Sequence, residues 1–532
     1  MATELPGVTG RSTVYALNGV AATSHPRATG EAVSVLRSGG NAVDAAVTAA
    51  AVLTVVEPHM TGIGGDMFSQ VWWEADGTHL ALDASGRAGS RATPEAFAEA
   101  GAGQVPVGGP ATVTVPGALS GWSALLDRLG TISMAEALAP AIQLADTGFP
   151  VSPIVASTWA RCEEFLRQDR GAAETFLLDG VRAPRAGEWF RNPDMAASLR
   201  SVARDGVEVF YGGALGAKIV DELAEAGGFL TRDDLAAHEA DWVEPIGTDF
   251  MGHGVWELPP AGQGVSVLQM LRLLESVDLA GMGHNETAYL HHLIEAKKLA
   301  FADLARHVSD RGHMRVPVET ILDDAAVAAR RALIDPAVAS PGPPAGAYPL
   351  GSNTVYLAVG DADGNMVSLI NSIYDEFGSG IVIPGTGFAL HSRGNAFVLD
   401  EGHPNRIAPG KRPFHTIIPA LLTRDGRGVM AFGVVGKSMQ PQGQVQLLLN
   451  LLLFGMDLQE SVDAPRFRHM EGLEVSVEPG VPQRVQQELA ARAHDLQPPE
   501  DVMFGGAQAV MRLESGWAAA SDPRRDGCAG GY

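Results

Sequence analysis

Apolar and polar residues alternate along this chain in two periods, one typical of helices and one typical of strands. Two apolar stretches of helical length, residues 30–37 and 42–55, are separated by Ser38-Gly39-Gly40-Asn41. The glycines are expected to end the first helix, and Asn41 is suited to cap the second, with Asp44 in its first turn. Because the second stretch is almost entirely Ala and Val, it predicts a buried helix.

Further helices and strands follow from the same patterns. Strands are expected at residues 13–17 and 67–73. Residues 320–350, rich in Ala, Pro and Gly, resemble a mobile linker. Helical spacing of apolar residues recurs at 118–129, 134–147, 154–167, 193–205, 213–226, 265–275, 289–307 and 443–454.

Residues 354–373 have the pattern of a β-hairpin. Two apolar stretches, 354–359 and 366–373, flank Asp361-Ala362-Asp363-Gly364-Asn365, which is typical turn chemistry. If these five residues form the loop, Gly360 faces Met366. Counting six positions away from that pair places Thr354 opposite Ser372, with their Cβ atoms about 4.5–5.5 Å apart.

A threonine at this position has two interpretations. Thr is common in strands and needs no function there. If the backbone is cleaved before Thr354, however, the residue gains a free α-amine, whose pKa of about 7.7–8.0 lets it take the proton of its own hydroxyl. An internal Thr has no such base.

Composition excludes several functional classes. The chain has 532 residues, 46 % of them hydrophobic, and a net charge of −24. This acidity disfavours nucleic acids and anionic membranes as partners. Two cysteines cannot form a disulfide framework. Residues 1–20 lack a basic region followed by an apolar run, so we expect no signal peptide. The apolar runs 45–56 and 447–454 are too short to span a bilayer. We therefore expect a cytoplasmic protein.

Several polar motifs have weaker interpretations. The run Thr61–Asp66 is rich in Gly but lacks the Lys of a phosphate loop and leads into a strand. Arg87 is either an exposed residue or an anion-binding one. His292 and Glu295 have the spacing to share a metal on a helix, but no third ligand follows at helical spacing. We therefore expect neither a metal nor a cofactor.

The turn between a predicted strand and the helix at 443–454 is a candidate anion-binding turn. It contains Gly436 and Lys437, and backbone N–H groups ahead of a helix are natural donors to an anion or an oxyanion.

Taken in order, many of these pieces resemble the γ-glutamyltransferase family of N-terminal nucleophile hydrolases. The resemblance covers nearly the whole chain, and the order of the motifs makes it specific. The matching segments are 35–46, 57–66, 115–117, 258–260, 295–298, 361–365, 377–380, 411–413 and 464–467.

The resemblance implies an α+β fold, a four-layer αββα sandwich, and a precursor that cuts itself between Asn353 and Thr354. Residues 1–353 would form a helix-rich large subunit that ends in a mobile linker at about 336–353. Residues 354–532 would form a small subunit that remains associated as a heterodimer, with a further dimer of that heterodimer left open.

The resemblance also assigns roles at the site. The family nucleophile falls on Thr354, its supporting hydroxyl on Ser372, and its oxyanion donors on the backbone of Gly436 and Lys437. The family usually has Gly where this chain has Lys437. That lysine keeps its N–H, but it must adopt a backbone conformation that favours glycine.

The substrate contacts depart from the γ-glutamyl pattern. Ala396 stands where the family has an Asp that binds the substrate ammonium, and the family's carboxylate-binding Arg aligns with Ser85, two residues from Arg87. The remaining differences are Arg393 for Gln, Tyr374 for Asn, and His415 with Thr416 for a Ser-Ser pair.

Two segments, Pro413-Phe414-His415-Thr416 and Gln440-Pro441-Gln442, resemble the branch of the family that contains oxamate amidohydrolase and acylases. They imply a small amide substrate whose acyl group has a carboxylate and no amine, with Arg87, Arg393, His415 or Thr416 as its partners and Tyr374 beside it. Three alternatives remain open: a γ-glutamyl transpeptidase or glutathione hydrolase, a C–C hydrolase that removes an oxalyl-type group, and an unprocessed relative that only binds.

Overall fold

The computed structural model describes residues 10–342, 354–500 and 503–532. Residues 343–353, which include Asn353 and most of the linker expected at about 336–353, lie outside this part. The described residues combine helices with two seven-stranded sheets, in which every neighbouring pair of strands is antiparallel.

The first sheet has the strand order β19-β2-β10-β11-β3-β4-β7, and the second has the order β1-β18-β17-β13-β12-β9-β8. The strands are β1 Val14–Ala16, β2 Val20–Thr23, β3 Asp66–Trp73, β4 Thr78–Ala84, β5 Phe149–Pro150, β6 Trp189–Phe190, β7 Asp241–Val243, β8 Ile246–Phe250, β9 His253–Glu257, β10 Val355–Gly360, β11 Met366–Ser372, β12 Ala420–Arg424, β13 Arg427–Val435, β14 Phe467–His469, β15 Glu474–Val477, β16 Asp495–Gln497, β17 Gly506–Arg512, β18 Trp517–Ser521 and β19 Cys528–Gly531.

The helices are distributed along most of the chain. They are α1 Pro26–Arg37, α2 Ala42–Val56, α3 Pro94–Glu99, α4 Ala118–Leu129, α5 Met134–Thr147, α6 Pro153–Arg161, α7 Glu163–Leu166, α8 Arg170–Phe176, α9 Pro193–Asp205, α10 Glu208–Tyr211, α11 Ala214–Glu225, α12 Arg232–Ala236, α13 Gly264–Leu274, α14 Leu279–Met282, α15 Thr287–His307, α16 Val318–Ile321, α17 Asp324–Arg331, α18 Met439–Leu448, α19 Leu458–Asp463 and α20 Gln483–Ala491. None of the described helices is both long enough and apolar enough to cross a membrane.

Buried apolar side chains explain how these elements pack. One cluster contains residues of both sheets, such as Phe68, Tyr356 and Ile370 of the first and Leu421 and Ala431 of the second. A second cluster joins the first sheet to α1, α2, α4 and α5. A third joins the second sheet to α13, α15 and α18. Each sheet therefore buries both of its faces.

The hairpin has the predicted register. Gly360 pairs with Met366, and the pairing continues without a bulge to Val355 and Asn371. In the loop, the Asp361 carboxylate accepts hydrogen bonds from the backbone N–H of Asn365 at 2.9 Å and from that of Ala42 at 2.9 Å. The turn is therefore bonded to the first residue of α2, the buried Ala-rich helix.

The beginning of α2 also follows the prediction. The Asn41 side chain accepts hydrogen bonds from the N–H groups of Val43 and Asp44, and the Asp44 carboxylate accepts from the Asn41 N–H at 2.9 Å. Such a reciprocal cap satisfies donors that the helix itself leaves unpaired.

Three elements differ from the sequence prediction. Helix α18 begins at Met439 instead of residue 443, because Pro441 lies in the first turn, where its missing N–H costs no helical hydrogen bond. The helix expected at 154–167 is interrupted at Cys162. The segment expected to be a linker from residue 320 begins with α16 and α17, which bury Ile321 and Val327.

Buried histidines make the stability of this fold dependent on pH. Burial, and then the nearby cations of Arg525 and Arg161, lower the pKa of His59 to about 3. An unfolded chain binds the same proton near pH 6.5. Below pH 6.5 the unfolded state therefore holds the additional proton, and stability falls until the folded pKa is reached.

We therefore predict that wild type loses thermal stability relative to His59→Gln as the pH falls from 6.5 to 4. The measurement is the difference between their thermal unfolding midpoints at each pH, which cancels most contributions from other groups. A constant difference across this range would contradict the prediction.

Candidate active site

Three polar side chains lie side by side where strands of the first sheet end. Ser372, the last residue of β11, pairs with Asp66, the first residue of β3, and paired residues project to the same face of a sheet. Thr354 immediately precedes β10 on the other side of Ser372. Its Oγ1 lies 3.1 Å from Ser372 Oγ, and both residues are buried. The hydroxyl pair expected from the hairpin arithmetic is therefore present.

Ser372 is held in turn by the segment that follows it. The backbone N–H of Tyr374 donates a hydrogen bond to Ser372 Oγ over 3.0 Å. Tyr374 has a φ of 80°, which is uncommon for a residue with a side chain, and its ring is fully buried. The tight turn after β11 therefore directs a backbone donor back at the Ser372 hydroxyl.

Asp66 is surrounded by basic side chains in a fully buried cluster. Its Oδ2 lies 3.1 Å from His391 Nδ1, 3.4 Å from Arg393 Nε and 3.8 Å from His415 Nε2. Burial would raise the pKa of Asp66, but His391 and the Arg393 guanidinium hold it well below its usual range. Burial, and then Arg393, lower the pKa of His415 well below its ordinary value. The cluster therefore contains an ionised Asp66 and a neutral His415.

The charged side chain of Arg393 extends from the Asp66 cluster to Tyr374 and Thr416. Its Nη1 donates to Thr416 Oγ1 over 3.2 Å, and its guanidinium carbon lies 4.4 Å from the centre of the Tyr374 ring. Its Nη2 is buried and has no hydrogen-bond partner within the part of the chain that the structure describes. Because a buried N–H without a partner is costly, this atom is suited to bind an anionic ligand.

The turn between β13 and α18 lies close to the same groups. Gly436 has a φ of 126° and Lys437 a φ of 50°, so this lysine adopts the left-handed backbone conformation that the sequence comparison required of it. Gln263 Nε2 donates to the carbonyl oxygens of both Thr416 and Lys437, at 2.6 and 2.8 Å. The Lys437 ammonium pairs with Asp375 and lies 4.6 Å from the centre of the Tyr374 ring.

Asn353 lies outside the described residues; the other predicted site residues are brought together, except Arg87. The hydroxyl pair, Tyr374, Arg393, His415, Thr416 and Lys437 are linked by the contacts above. Arg87 instead has a side chain that is 45 % exposed and contacts Asp241, Asp310 and the Gly410 carbonyl. These contacts give Arg87 no link to Arg393 or Thr354.

The histidine pair considered as a metal site is arranged differently from the sequence expectation. His291, not His292, lies near Glu295, together with His494 from a distant part of the chain. His291 Nδ1 lies 2.9 Å from His494 Nε2, and Glu295 Oε1 lies 2.7 Å from Lys298 Nζ. The two histidines are bonded to each other, and the Lys298 ammonium that pairs with Glu295 makes the cluster a poor place for a cation.

Four residues of the site were not identified from the sequence: Asp66, Gln263, Asp375 and His391. Asp66 ends a Gly-rich run that belongs to the matching segment 57–66 but receives no role at the site from the sequence, and its register opposite Ser372 becomes visible only when β3 pairs with β11. Asp375 follows Tyr374 directly, so its position beside the hairpin was the available signal.

Comparison with known proteins identifies the family of this chain. The family model described as Gamma-glutamyltranspeptidase matches residues 28–532. The oxamate amidohydrolase proenzyme of Klebsiella pneumoniae is 38 % identical over 97 % of this chain and 98 % of its own length. The glutathione hydrolase-like YwrD proenzyme of Bacillus subtilis is 36 % identical over 93 % of this chain and 95 % of its own.

A solved structure extends the comparison to the fold. The cephalosporin acylase from Bacillus halodurans superimposes with a TM-score of 0.93 and 40 % sequence identity, covering 100 % of this chain and 99 % of that chain. The chain therefore has the mixed α and β fold of N-terminal nucleophile hydrolases of this kind and is an enzyme of the amidohydrolase, acylase and transpeptidase class. It belongs to the γ-glutamyltranspeptidase family, as the motifs predict.

The charges around Asp66 predict that neutralising its carboxylate clearly lowers the thermal stability of the protein. In Asp66→Asn, the Arg393 guanidinium would be left buried without its counter-charge, which typically costs about 3–5 kcal/mol. We expect a clearly lower thermal unfolding midpoint. The control is Asp363→Asn, which neutralises an exposed carboxylate in the hairpin loop. Equal midpoints for the two variants would show that the charges around Asp66 are not coupled.

Proposed function

We propose that this chain is a self-processing amidohydrolase that hydrolyses the amide of a small carboxylate-bearing acyl group through an acyl-enzyme on Thr354. Cleavage between Asn353 and Thr354 would divide it into residues 1–353 and 354–532, which stay together as a heterodimer. The three apolar clusters support an αββα order of four layers, in which the two sheets pack face to face. Location in the cytoplasm remains a prediction.

The hydroxyl pair provides the chemistry of the first step. Once its α-amine is free, Thr354 carries its own general base, and Oγ1 attacks the amide carbonyl carbon. Ser372 Oγ, 3.1 Å away, orients the nucleophile. The N–H groups of Gly436 and Lys437 stabilise the negative charge that forms on the carbonyl oxygen. The amine leaves with the proton from Thr354, and water then hydrolyses the acyl-enzyme.

The observation that carries the choice of acyl group is the buried Arg393 guanidinium, whose Nη2 has no hydrogen-bond partner among the described residues. A guanidinium binds a carboxylate through paired N–H donors, and Thr416 Oγ1 and the Tyr374 ring hold this one in place. Ala396 offers no partner to an ammonium. Because a hydrogen bond to a charged group is worth about 1.5–3 kcal/mol, its loss would weaken γ-glutamyl binding about ten- to a hundredfold.

One relative is named for oxamate, an amide whose acyl group has a carboxylate and no amine. This agrees with the charges around Arg393. We therefore place a short dicarboxylic monoamide ahead of a γ-glutamyl compound as the substrate of this chain.

Self-processing predicts two polypeptides in purified protein. Mass spectrometry under denaturing conditions should find fragments that correspond to residues 1–353 and 354–532, and Thr354→Ala should remain a single chain. The reason is that scission by a hydroxyl shift needs the Thr354 side chain. A single uncut mass for wild type after long incubation would count against the proposal.

Substrate preference should depend on Arg393. We expect wild type to hydrolyse oxamate, succinyl or glutaryl amides faster than γ-glutamyl amides. Arg393→Lys keeps the charge but loses the paired N–H donors, and should lower kcat/KM for the preferred substrate about tenfold. The control is a neutral acyl amide of similar size, whose kcat/KM should hardly change. An equal loss for both substrates would show that Arg393 does not recognise a carboxylate.

A further inference from the structure

An ion pair joins the ends of the two sheets at the site. Asp375 lies three residues after Ser372 in the turn that follows β11 of the first sheet, and Lys437 lies two residues after β13 of the second. The Lys437 ammonium contacts Asp375 Oδ1, and Ser392 Oγ donates to Asp375 Oδ2 over 3.1 Å. The lysine side chain is only 2 % exposed. Its charge is therefore held against one carboxylate.

The backbone of Lys437 needs such an anchor. A φ of 50° is uncommon for a residue with a Cβ, and it persists only where the surroundings hold it. The Lys437 carbonyl accepts from Gln263 Nε2 at 2.8 Å, and its side chain ends at Asp375. Because the carbonyl and the side chain of Lys437 are both held, the backbone conformation of this residue is held, and with it the direction of its N–H.

The same ion pair is connected to the nucleophile side of the site. Tyr374, the neighbour of Asp375, donates its N–H to Ser372 Oγ, and its ring lies beneath the Lys437 ammonium. The segment 372–375 therefore holds the supporting hydroxyl at one end and the lysine at the other. The contact therefore links the segment that holds Ser372 to the turn that contains Lys437.

We propose that Asp375 is a positioning residue that acts through Lys437: by holding the lysine side chain, it keeps a left-handed backbone in place and its N–H aimed at the developing oxyanion. The inference rests on the proposed function of Thr354. The chain thereby retains an oxyanion donor at a position where a side chain would otherwise favour a different backbone conformation.

The test uses four variants of the processed enzyme with one hydrolysed amide. Asp375→Asn should lower kcat about tenfold with KM nearly unchanged, because a misaimed oxyanion donor weakens the transition state and not substrate binding. Lys437→Gly keeps the backbone N–H and should lose less kcat than Lys437→Ala, because glycine adopts this φ without an anchor. Lys437→Ala, which keeps a Cβ and loses the ion pair, should resemble Asp375→Asn.

The decisive comparison is the double variant Asp375→Asn with Lys437→Gly. Its kcat should recover to the level of Lys437→Gly alone, a rescue that a general structural role of Asp375 would not produce. Glu478→Gln serves as the matched control, because it removes a comparably buried carboxylate that pairs with Arg524 instead of with Lys437. This control should retain wild-type kcat. A double variant as slow as Asp375→Asn would overturn the inference.

A crystal structure of Asp375→Asn provides a readout that needs no turnover. Residue 437 should leave the positive-φ region in that variant and retain it in the double variant. An unchanged φ at residue 437 in Asp375→Asn would overturn the inference, whatever the activity. By contrast, a wild type that hydrolyses no amide in the panel would count against the proposed function alone.

Discussion

The strand register of the first sheet is the constraint on which the site depends. Side chains in an antiparallel sheet alternate between faces, so a shift of one residue would move every one of them to the opposite face. The uninterrupted pairing from Gly360 and Met366 back to Val355 and Asn371 places Thr354 beside Ser372. The pairing of β11 with β3 then adds Asp66 on the same face. Strand pairing thereby brings together two hydroxyls and a carboxylate from residues that are not neighbours in the sequence.

Burial of charge is the second constraint. Asp66 and Arg393 are both fully buried, and their ion pair offsets part of the cost of burying each charge. The arginine nevertheless has one nitrogen with no partner among the described residues. The fold therefore holds a buried cation beside Tyr374 and Thr416 and leaves part of its hydrogen-bonding capacity unused among the described residues.

The two sheets contribute different parts of the chemistry. The first sheet supplies the hydroxyl pair at the ends of its strands, and the second supplies the turn with Gly436 and Lys437. Because the sheets share a buried apolar cluster, their separation is fixed by close packing of large side chains such as Phe68 and Tyr356. Contacts made by Gln263 and Asp375 refine that separation at the site.

The sequence by itself determined the local features: the hairpin with its register, the capped and buried α2, most helix bounds and the hydroxyl pair. These depend on turn residues, caps and apolar periodicity, which act over a few residues. Where local signals were ambiguous, as at Pro441, the predicted bounds were wrong.

Only the tertiary structure decided which charged groups lie together at the candidate site. Asp66 and His391 come together with Arg393 and His415 through strand pairing and loop packing between residues far apart in the chain, and the same contacts leave Arg87 paired with Asp241 at the surface. No local pattern encodes such proximity, because the energy of a buried charge depends on every group that packs against it.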